Sequence, residues 1–333
     1  MPRRTIEIGA GQALFNIVSY ARRGPGRTDR LSPAQAEQVA RTVRRVPEVM
    51  VKVSGGGTSP KGVVAHFKYL NRRPEFEIET DDGEHLQGKR QGKGLVERWD
   101  LELDAAESRS AYCGRPGRKP VKLVHNIVLS MPARTPSKGV LAASRAFARE
   151  QFALKHRYAM VLHTDQPHPH VHLVVKAMSE QGERLNIRKA TLREWRHEFA
   201  RHLRAQGIAA NATDRAVRGV TKPRKLDGIY RAHEATRSTH MQKREESVAA
   251  ELLAGSIQVE PGKLDMLKTR QKVAQGWHAV SDSLRADGRA DIAAAVDHFL
   301  KEMPPPRTEH EWMAAEVLRR APPPPVQERP IAR

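Results

Sequence analysis

The residues of this chain that are best suited to chemistry are four histidines and one aspartate within ten residues, in the segment His163-Thr-Asp-Gln-Pro-His-Pro-His-Val-His172. Side chains alternate between the two faces of a strand, so His170 and His172 point to the same side. The apolar run 158–163 also has the composition of a strand, and residues 165–169, with two prolines, predict a turn between the two strands. The hairpin brings the imidazoles of His163, His170 and His172 onto one sheet face, where they can hold a divalent metal and leave coordination positions open.

The histidine cluster alone leaves two questions open. A histidine-rich loop without a metal is the simpler interpretation of such a segment, and convergence from adjacent strands favours the metal site over it. Zinc hydrolases also use three protein ligands, so the cluster does not by itself name the reaction. Asp165 can orient a ligand imidazole by a hydrogen bond, accept a proton from a nucleophile, or simply cap the turn.

Five segments upstream of the histidines also have a recognisable pattern. Residues 48–53 alternate apolar and charged side chains as a strand does, and a glycine-rich turn follows at 54–59. Pro60 is typical of the first position of a helix, which we expect to run to about residue 71. A central strand is predicted at 121–131 and a helix at about 138–155.

In this order, these parts resemble the nuclease domain of the mobilisation-type conjugative relaxases, which belong to the HUH endonuclease superfamily and include the T-DNA border relaxases. The resemblance is carried by the segments Val49–Pro60, Val63–Arg73, Lys122–Pro132 and His163–His172. It covers about residues 47–219. Because several parts occur in the family's order, it is more specific than the histidine pattern alone.

The fold that the resemblance implies is α+β, an HUH-type sandwich with a central antiparallel sheet flanked by helices. Strands interspersed with helices predict the same class. We expect a helical lead-in at 1–46, the nuclease domain at 47–219, a helical C-terminal region at 220–320 and a disordered tail rich in proline and arginine at 321–333.

Three local predictions concern the surroundings of the site. Residues 76–86 predict a hairpin around the Asp82-Gly83 turn. Residues 184–187 predict an edge strand. A capping box beginning at Thr191 predicts the start of a helix whose apolar stripe includes Trp195 and Phe199.

A nucleophile is sought among the five tyrosines of the chain. On the helix that begins at Pro60, Val63, Phe67 and Leu70 form the stripe that faces the core, whereas Tyr69 lies about 100° away from Leu70, on the side of His66 and Arg73. We therefore prefer Tyr69 as the nucleophile. The alternative is that the Tyr69 side chain only packs at the rim of the core. The alternative, Tyr20, precedes the first strand and lacks the following glycine-rich turn, and Tyr158 is expected in the core.

The chemistry that the resemblance implies is strand-specific nicking of DNA at a transfer origin. The Tyr69 hydroxyl would attack the scissile phosphate and remain joined to the 5′ end, and His163, His170 and His172 would hold Mg²⁺ or Mn²⁺. A bound cation polarises the phosphate and offsets the charge of the transition state. By ligand softness alone, three imidazoles would favour Mn, Zn, Ni or Co over Mg.

Further residues are predicted to bind the DNA. The glycine-rich turn offers main-chain N–H groups at a helix N-terminus, although a tight turn would explain its glycines equally well. The residues assigned to DNA binding are Ser54, Gly55, Gly56, Gly57, Thr58, His66, Arg72, Arg73 and His168. A single-strand groove could add Lys89, Arg90, Lys93, Arg115, Arg118 and Lys119, with Trp99 or Tyr112 as a stacking platform. Each of these side chains taken alone is also an ordinary solvated surface group.

Composition bounds the partners and the compartment. A net charge of +20 and a pI of about 10.4 favour a polyanionic partner, nucleic acid rather than a membrane. The single cysteine excludes an intrachain disulfide and suits a reducing cytoplasm. No apolar run reaches the roughly 20 residues of a membrane-spanning helix, and no signal-peptide segment follows the first residues. The resemblance implies single-stranded DNA, a relaxosome accessory protein, a coupling protein and a type IV secretion system as partners, and passage to the recipient cell with the DNA.

Three other functions remain open at this point. A rolling-circle replication initiator shares the histidine pattern, but its tyrosine usually follows the histidines, whereas the preferred tyrosine here precedes them. A basic DNA-binding accessory protein would need neither converging histidines nor a tyrosine at the site. A nuclease that activates water would differ from the relaxase in forming no covalent adduct with DNA.

Overall fold

The computed structural model describes residues 17, 30–73, 76–88, 91–112, 121–221, 232–233, 235, 237–255 and 260–320, with 109–112 described by their backbone alone. The chain divides into two compact units, Arg45–Ala212 and a second one that combines Met1–Arg44 with Thr213–Arg333. The boundaries predicted from the sequence lay at 46/47 and 219/220. The tail at 321–333 lies outside the described residues.

The unit Arg45–Ala212 is built on one six-stranded sheet whose paired strands all run antiparallel. Its strand order is β1-β4-β6-β5-β2-β3. The strands are β1 (Met50–Gly55), β2 (Ile78–Thr80), β3 (His85–Leu86), β4 (Val124–Ser130), β5 (Tyr158–His163) and β6 (His170–Lys176). The α1 helix (Pro33–Val43) precedes this unit in the chain, and the unit's own helices are α2 (Pro60–Leu70), α3 (Gln91–Arg98), α4 (Leu101–Tyr112), α5 (Ser137–Phe152) and α6 (Lys189–Ala205).

Helices cover both faces of the sheet, so the unit has two cores. On one face, Leu129, Val171 and Leu173 pack against Phe147 of α5 and Phe199 of α6. On the other face, Val161 and Val174 pack with side chains of α2, α3 and α4, among them Phe67, Leu95 and Leu101. The strand alternation of two residues thus separates Val171 and Leu173 from the histidines on either side of them. The predicted α+β sandwich with a central antiparallel sheet is confirmed.

The turn between β1 and α2 has a packing reason for two of its glycines. A Cβ on Gly56 would lie 2.4 Å from the carbonyl oxygen of Val124, and a Cβ on Gly57 would lie 2.4 Å from a methyl group of Val63. The helix then begins as expected, because the Ser59 hydroxyl accepts a hydrogen bond from the Gly62 N–H at 3.2 Å and Pro60 occupies the first turn.

Most of the local predictions hold, and three need correction. The hairpin β2–β3 turns at Gly83, whose φ of 83° requires glycine. Residues 184–187 form no strand; Arg184 makes only an isolated bridge with Met178. The last helix of this unit begins at Lys189 rather than after Thr191, and the Thr191 hydroxyl accepts a hydrogen bond from the Arg188 N–H. Trp99 is only 1% exposed and packs against Phe67 at the helix layer, so it cannot be a stacking platform.

The second unit is helical, as predicted for the C-terminal region. It contains α1 and, further along the chain, α7 (Thr239–Leu253), α8 (Gly262–Ala286), α9 (Ala290–Lys301) and α10 (Glu309–Arg320). Val39 of α1 is buried in one core with Trp277 of α8 and Phe299 of α9, so α1 is part of this unit rather than a separate lead-in. Among the described residues, none of the helices combines the length and apolarity needed to cross a membrane.

Candidate active site

The strand pairing of β5 with β6 brings three histidines together. His163 lies opposite His170 in the antiparallel register, and His172 is two residues further along the same face. The ring centroids are 4.6–5.3 Å apart, and each histidine offers a ligand nitrogen within 4.8 Å of the other two. Three imidazole nitrogens at these separations fit one divalent cation and leave positions for other ligands.

Two of the three rings are oriented by main-chain carbonyls. The Nε2 of His163 lies 2.8 Å from the carbonyl oxygen of Leu70, and the Nδ1 of His170 lies 2.9 Å from that of His168. A carbonyl oxygen only accepts, so each of these nitrogens carries the proton. The nitrogens that carry the lone pair are therefore Nδ1 of His163 and Nε2 of His170. Such ties are a common way to fix the tautomer and orientation of a metal ligand.

The environment keeps two of these histidines neutral. Burial is the largest cause that lowers the pKa of His163 to about 4, with the nearby Arg72 acting in the same direction. Burial and the neighbouring His163 lower the pKa of His172 to about 3. A metal ligand must be unprotonated, so both side chains are ready to bind a cation at neutral pH. The Nδ1 of His172 is buried without a hydrogen-bond partner among the described residues.

The preferred nucleophile lies on the helix that supplies the Leu70 carbonyl. Tyr69 is 55% exposed, whereas its neighbours Phe67 and Leu70 are buried, as the helical periodicity predicted. Its ring stacks on that of His66, with centroids 6.3 Å apart and planes at 22°. Burial lowers the pKa of His66, and the His66 Nε2 is buried with no partner among the described residues. A neutral imidazole with a free nitrogen thus lies beside the phenol ring.

Arg72 connects this helix to the histidine hairpin. Its guanidinium carbon lies 4.8 Å from the centre of the Tyr69 ring, a cation–π distance. One guanidinium nitrogen is 3.4 Å from the His163 Nδ1, and the other pairs with the Asp165 carboxylate. Arg73 is more distant from Asp165, at 3.9 Å. Arg72 therefore contacts the candidate nucleophile, a candidate metal ligand and the candidate base at once.

Asp165 is held in a way that makes it a poor base. Burial alone would raise the pKa of its carboxyl, but the hydrogen bond and the positive charge of Arg72 outweigh that effect and the pKa lies below its ordinary value. A carboxylate stabilised in its charged form takes up a proton less readily. Among the described residues, the Asp165 carboxylate accepts a hydrogen bond from Arg72 and makes no hydrogen bond with a histidine.

The other predicted DNA-binding residues differ in their exposure and contacts, and some lie outside the described residues. Ser54 and Thr58 are exposed, and the Ser54 hydroxyl donates to the carbonyl of Asn126 at 3.2 Å. His168 is exposed at the turn. Lys93 is exposed and lies 3.6 Å from Glu97. Tyr20, Lys89, Arg90, Arg115, Arg118 and Lys119, and the side chain of Tyr112, lie outside the described part of the chain.

A second group with metal-ligand spacing has another explanation. Glu150, Glu198 and His202 approach within 4.8 Å, but the Arg201 guanidinium lies between them, 2.5 Å from Glu150 and 2.7 Å from Glu198. His202 also pairs with Glu150 at 2.9 Å. The cation of this network is already supplied by Arg201.

Two contributors to the site were not predicted from the sequence. Phe76 stacks on His163, with centroids 4.3 Å apart and planes at 17°, and shields it from solvent. The Leu70 carbonyl orients the same ring. A main-chain carbonyl at the C-terminal end of a helix has no signal in the residue types, but free carbonyls at every helix C-terminus make such a role available.

The chain was compared with known proteins. Residues 85–208 match the family model described as relaxase, MobA/VirD2-like, nuclease domain. The T-DNA border endonuclease VirD2 of Rhizobium radiobacter is 27% identical over 184 residues, which is 51% of this chain and 42% of that protein. The corresponding protein of Agrobacterium fabrum is 28% identical over 184 residues, 51% of this chain and 40% of that protein. The matched region thus spans less than half of these relatives.

One solved structure, from a study of the molecular basis of vancomycin resistance transfer in Staphylococcus aureus, aligns with 51% of this chain and 99% of its own at 15% identity. Its TM-score of 0.32 is too low to support an argument. The family model and the curated relatives agree with the resemblance that the sequence motifs carried. Residues 85–208 are thus similar to the nuclease domain of the MobA/VirD2-like relaxases.

Proposed function

We propose that this protein nicks one strand of DNA at a transfer origin by tyrosine transesterification. The Tyr69 oxygen bonds to the scissile phosphorus, and the bond from that phosphorus to the 3′ oxygen of the preceding nucleotide breaks. The departing 3′ oxygen takes up a proton, and the phenol gives up its own. The protein remains joined to the 5′ phosphate, so the bond energy is retained for rejoining.

The observation that carries this proposal is the juxtaposition of an exposed tyrosine with three converging histidines. Tyr69 and Leu70 are neighbours in the chain, and the Leu70 carbonyl accepts a hydrogen bond from His163. Arg72, one turn away, reaches both the Tyr69 ring and His163. A structural tyrosine at the rim of the core would need none of these contacts.

The donor set fits a divalent metal, for which we propose Mg²⁺ or Mn²⁺ at His163, His170 and His172. When bound there, the metal would polarise a phosphate oxygen and offset the charge that develops on it. Around it, the chain's own residues have separate tasks. Arg72 and Arg73 hold positive charge beside the site, and His66 is placed to accept the Tyr69 proton or to contact a base.

The glycine-rich turn, Arg72, Arg73 and His168 would bind the single strand. The main-chain N–H groups of residues 54–58 at the start of α2 offer hydrogen bonds to phosphate oxygens. The partners that the similarity to relaxases implies are a relaxosome accessory protein, a coupling protein and a type IV secretion system. We propose that the protein acts in the cytoplasm of a donor cell and accompanies the strand to the recipient.

Trapping of a covalent adduct tests the proposal. Purified protein is incubated with Mn²⁺ or Mg²⁺ and single-stranded oligonucleotides tiled across the DNA that flanks its gene. We expect a denaturation-resistant protein–DNA adduct, which Tyr69→Phe abolishes while single-strand binding persists, because only the attacking oxygen is removed.

Two variants serve as controls in that experiment. His170→Ala should reduce both adduct formation and Mn²⁺ affinity, since a two-ligand site holds a divalent ion poorly. His168→Ala, whose carbonyl contact with His170 is retained, should have a smaller effect. Nicking without any adduct would instead indicate a nuclease that activates water, and an adduct that survives Tyr69→Phe would refute Tyr69 as the nucleophile.

A further inference from the structure

On the sheet face that carries the histidines, Val128 and Ser130 of β4 are 5% and 4% exposed, whereas the edge strand β1 presents side chains to solvent. Toward β5 and β2 the same face is covered, since Val161 and Ile78 are buried beneath the helices. On β1, Val51 points to the opposite core, whereas Met50 is 43% exposed and Lys52 is exposed. The edge strand β1 thus presents an apolar side chain and a lysine to solvent on the face of the candidate active site.

The strand registers place these two side chains in line with the metal ligands. Met50 pairs with Ser130, which pairs with His170. Lys52 pairs with Val128, which pairs with His172. Two rows therefore run across β1, β4 and β6, and each row ends in a candidate ligand. With strands about 4.8 Å apart, each side chain on β1 lies about 10 Å from the histidine of its row.

The charges along this surface are available to a ligand. Lys52 makes no ion pair with any residue that the structure describes, although the unit has many such pairs elsewhere. Asn126, two residues before Val128 on the same face, is 9% exposed, and its side-chain oxygen has no partner among the described residues. The Lys52 ammonium group can bind a phosphate, and the Asn126 amide oxygen can accept a hydrogen bond from a base. The exposed thioether of Met50 can pack against the plane of a base.

We propose that Met50 and Lys52 form a further nucleotide-binding subsite, in which the single strand that leaves the histidine centre continues over β4 to the edge strand β1. Lys52 contacts a phosphate and Met50 packs against a base. This inference rests on the proposed function, since the occupant is the same DNA strand. Its continuity with the histidine rows and its positive charge favour a nucleic acid over a protein segment.

Photo-crosslinking locates the strand directly. Wild-type protein in EDTA is bound to oligothymidylate containing 4-thiothymidine, irradiated and analysed by peptide mapping. We expect crosslinks in residues 50–53, ahead of the glycine-rich turn, and none in α5, which covers the opposite face. Crosslinks confined to other segments would overturn the subsite. The protein binds without metal in this assay, so the result does not depend on whether nicking is ever observed.

Variants of Lys52 measure how much the proposed phosphate contact contributes to binding of the single strand. Lys52→Gln should weaken oligothymidylate binding about fivefold at low salt, equivalent to about 1 kcal/mol. It should also reduce the slope of log affinity against log salt by about 0.7, the value for one phosphate contact on a single strand. Lys52→Arg should retain both. Lys138→Gln, which removes one exposed lysine at the start of α5, is the control.

Met50→Ala should lower the crosslink yield without changing the salt slope, because it removes an apolar contact and no charge. Equal effects of Lys52→Gln and Lys138→Gln would refute the phosphate contact. Loss of binding to an accessory protein, with oligothymidylate binding unchanged, would show that this surface serves a protein and would also overturn the proposal. Wild-type crosslinking decides the matter if a variant fails to fold.

Discussion

At the level of single residues, the candidate metal site combines three side chains of one hairpin with a group from a distant helix. Alternation along β6 and the pairing of β6 with β5 bring His163, His170 and His172 onto one face. The carbonyl that orients His163 belongs to Leu70, 93 positions away in the sequence. The assignment of Asp165 as base or orienter stayed open from sequence because its partner, Arg72, is equally distant.

The first prediction concerns protonation of the metal-free protein. With pKa values of about 4 for His163 and about 3 for His172, both rings should stay neutral at pH 5, where a free imidazole is mostly charged. Long-range nitrogen–proton NMR at this pH should show neutral rings for His163 and His172, with the proton of His163 on Nε2. A positively charged His172 at pH 5 would contradict the burial argument.

The sign of the accompanying stability change follows from linkage. Below about pH 6.5 the unfolded chain takes up protons on these histidines and the folded one does not. Stability of the metal-free protein should therefore fall as the pH is lowered from about 6.5 to about 4, and it should be fully present above pH 6.5. His172→Gln should lose less stability over this range in chemical denaturation, since it lacks one of the rings whose pKa burial lowers.

A second prediction separates the two roles of Asp165. If it anchors Arg72, then Asp165→Asn and Arg72→Gln should each slow adduct formation roughly 10- to 150-fold, the effect of losing a charged hydrogen bond of about 1.5–3 kcal/mol. The double variant should be no slower than the worse single variant, because both changes break one unit. Arg72→Lys should not restore the rate, since lysine lacks the forked donors.

Additive losses would contradict the anchoring role and return Asp165 to the role of base. The pH profile gives an independent readout. An anchoring aspartate leaves the profile of adduct formation unchanged in shape, whereas removal of the general base would alter its acidic limb.

At the level of elements, the sequence predicted β1, the glycine-rich turn and α2, and the hairpin β2–β3. Each has strong local signals: alternation, capping by Ser59, and a glycine at positive φ. The predicted edge strand at 184–187 was wrong, because its pairing is limited to the bridge between Arg184 and Met178 and the hydrogen bond from the Leu185 N–H to the Ala177 carbonyl. The burial of Trp99 was missed because a helix layer over the sheet cannot be read from the basic composition of residues 87–120.

The third prediction divides the glycines of the turn into two kinds. Gly57→Ala should destabilise the protein by about 1–3 kcal/mol, because its Cβ would overlap the Val63 side chain at the start of α2. Gly55→Ala should be close to neutral in stability, since nothing lies within 4 Å of its Cβ. Thermal unfolding measures both.

Single-strand binding by the same two variants then tests the phosphate cradle. If the turn binds phosphate through its main chain, Gly55→Ala should weaken binding while the stability is kept. Equal thermal stability of the Gly55 and Gly57 variants would contradict the packing argument.

At the level of the whole molecule, the sequence predicted a nuclease domain and a helical C-terminal region, but it placed α1 wrongly. The apolar stripe of Ala36, Val39 and Val43 shows that α1 packs against something, without saying what. In the structure these residues share a core with Val273 and Trp277. Because the partners lie more than 200 residues away, no local pattern could reveal them.

The last prediction follows from that packing. The fragment Arg45–Ala212 contains the complete sheet, both of its cores and all of the proposed site residues. It should therefore fold and form the covalent adduct at a rate close to that of the full chain. A truncation after Gly228 should behave worse, since it keeps α1 and removes α8 and α9, leaving Val39 and Val43 without the apolar partners that bury them. We expect this longer fragment to bind a hydrophobic dye and to aggregate, as exposed apolar patches do.

The two fragments are compared by adduct formation and by circular dichroism. The matching gene truncations are compared by cell-to-cell DNA transfer. Transfer should fall sharply in both, because both lack α7–α10 and the basic tail, where we propose that the transfer machinery recognises the protein. If the fragment Arg45–Ala212 folds but does not form the adduct, the helical unit takes part in catalysis or in DNA binding. The separation of catalysis from the helical unit would then be wrong. The assignment of Tyr69 and the three histidines would still be supported by adduct formation in the full chain.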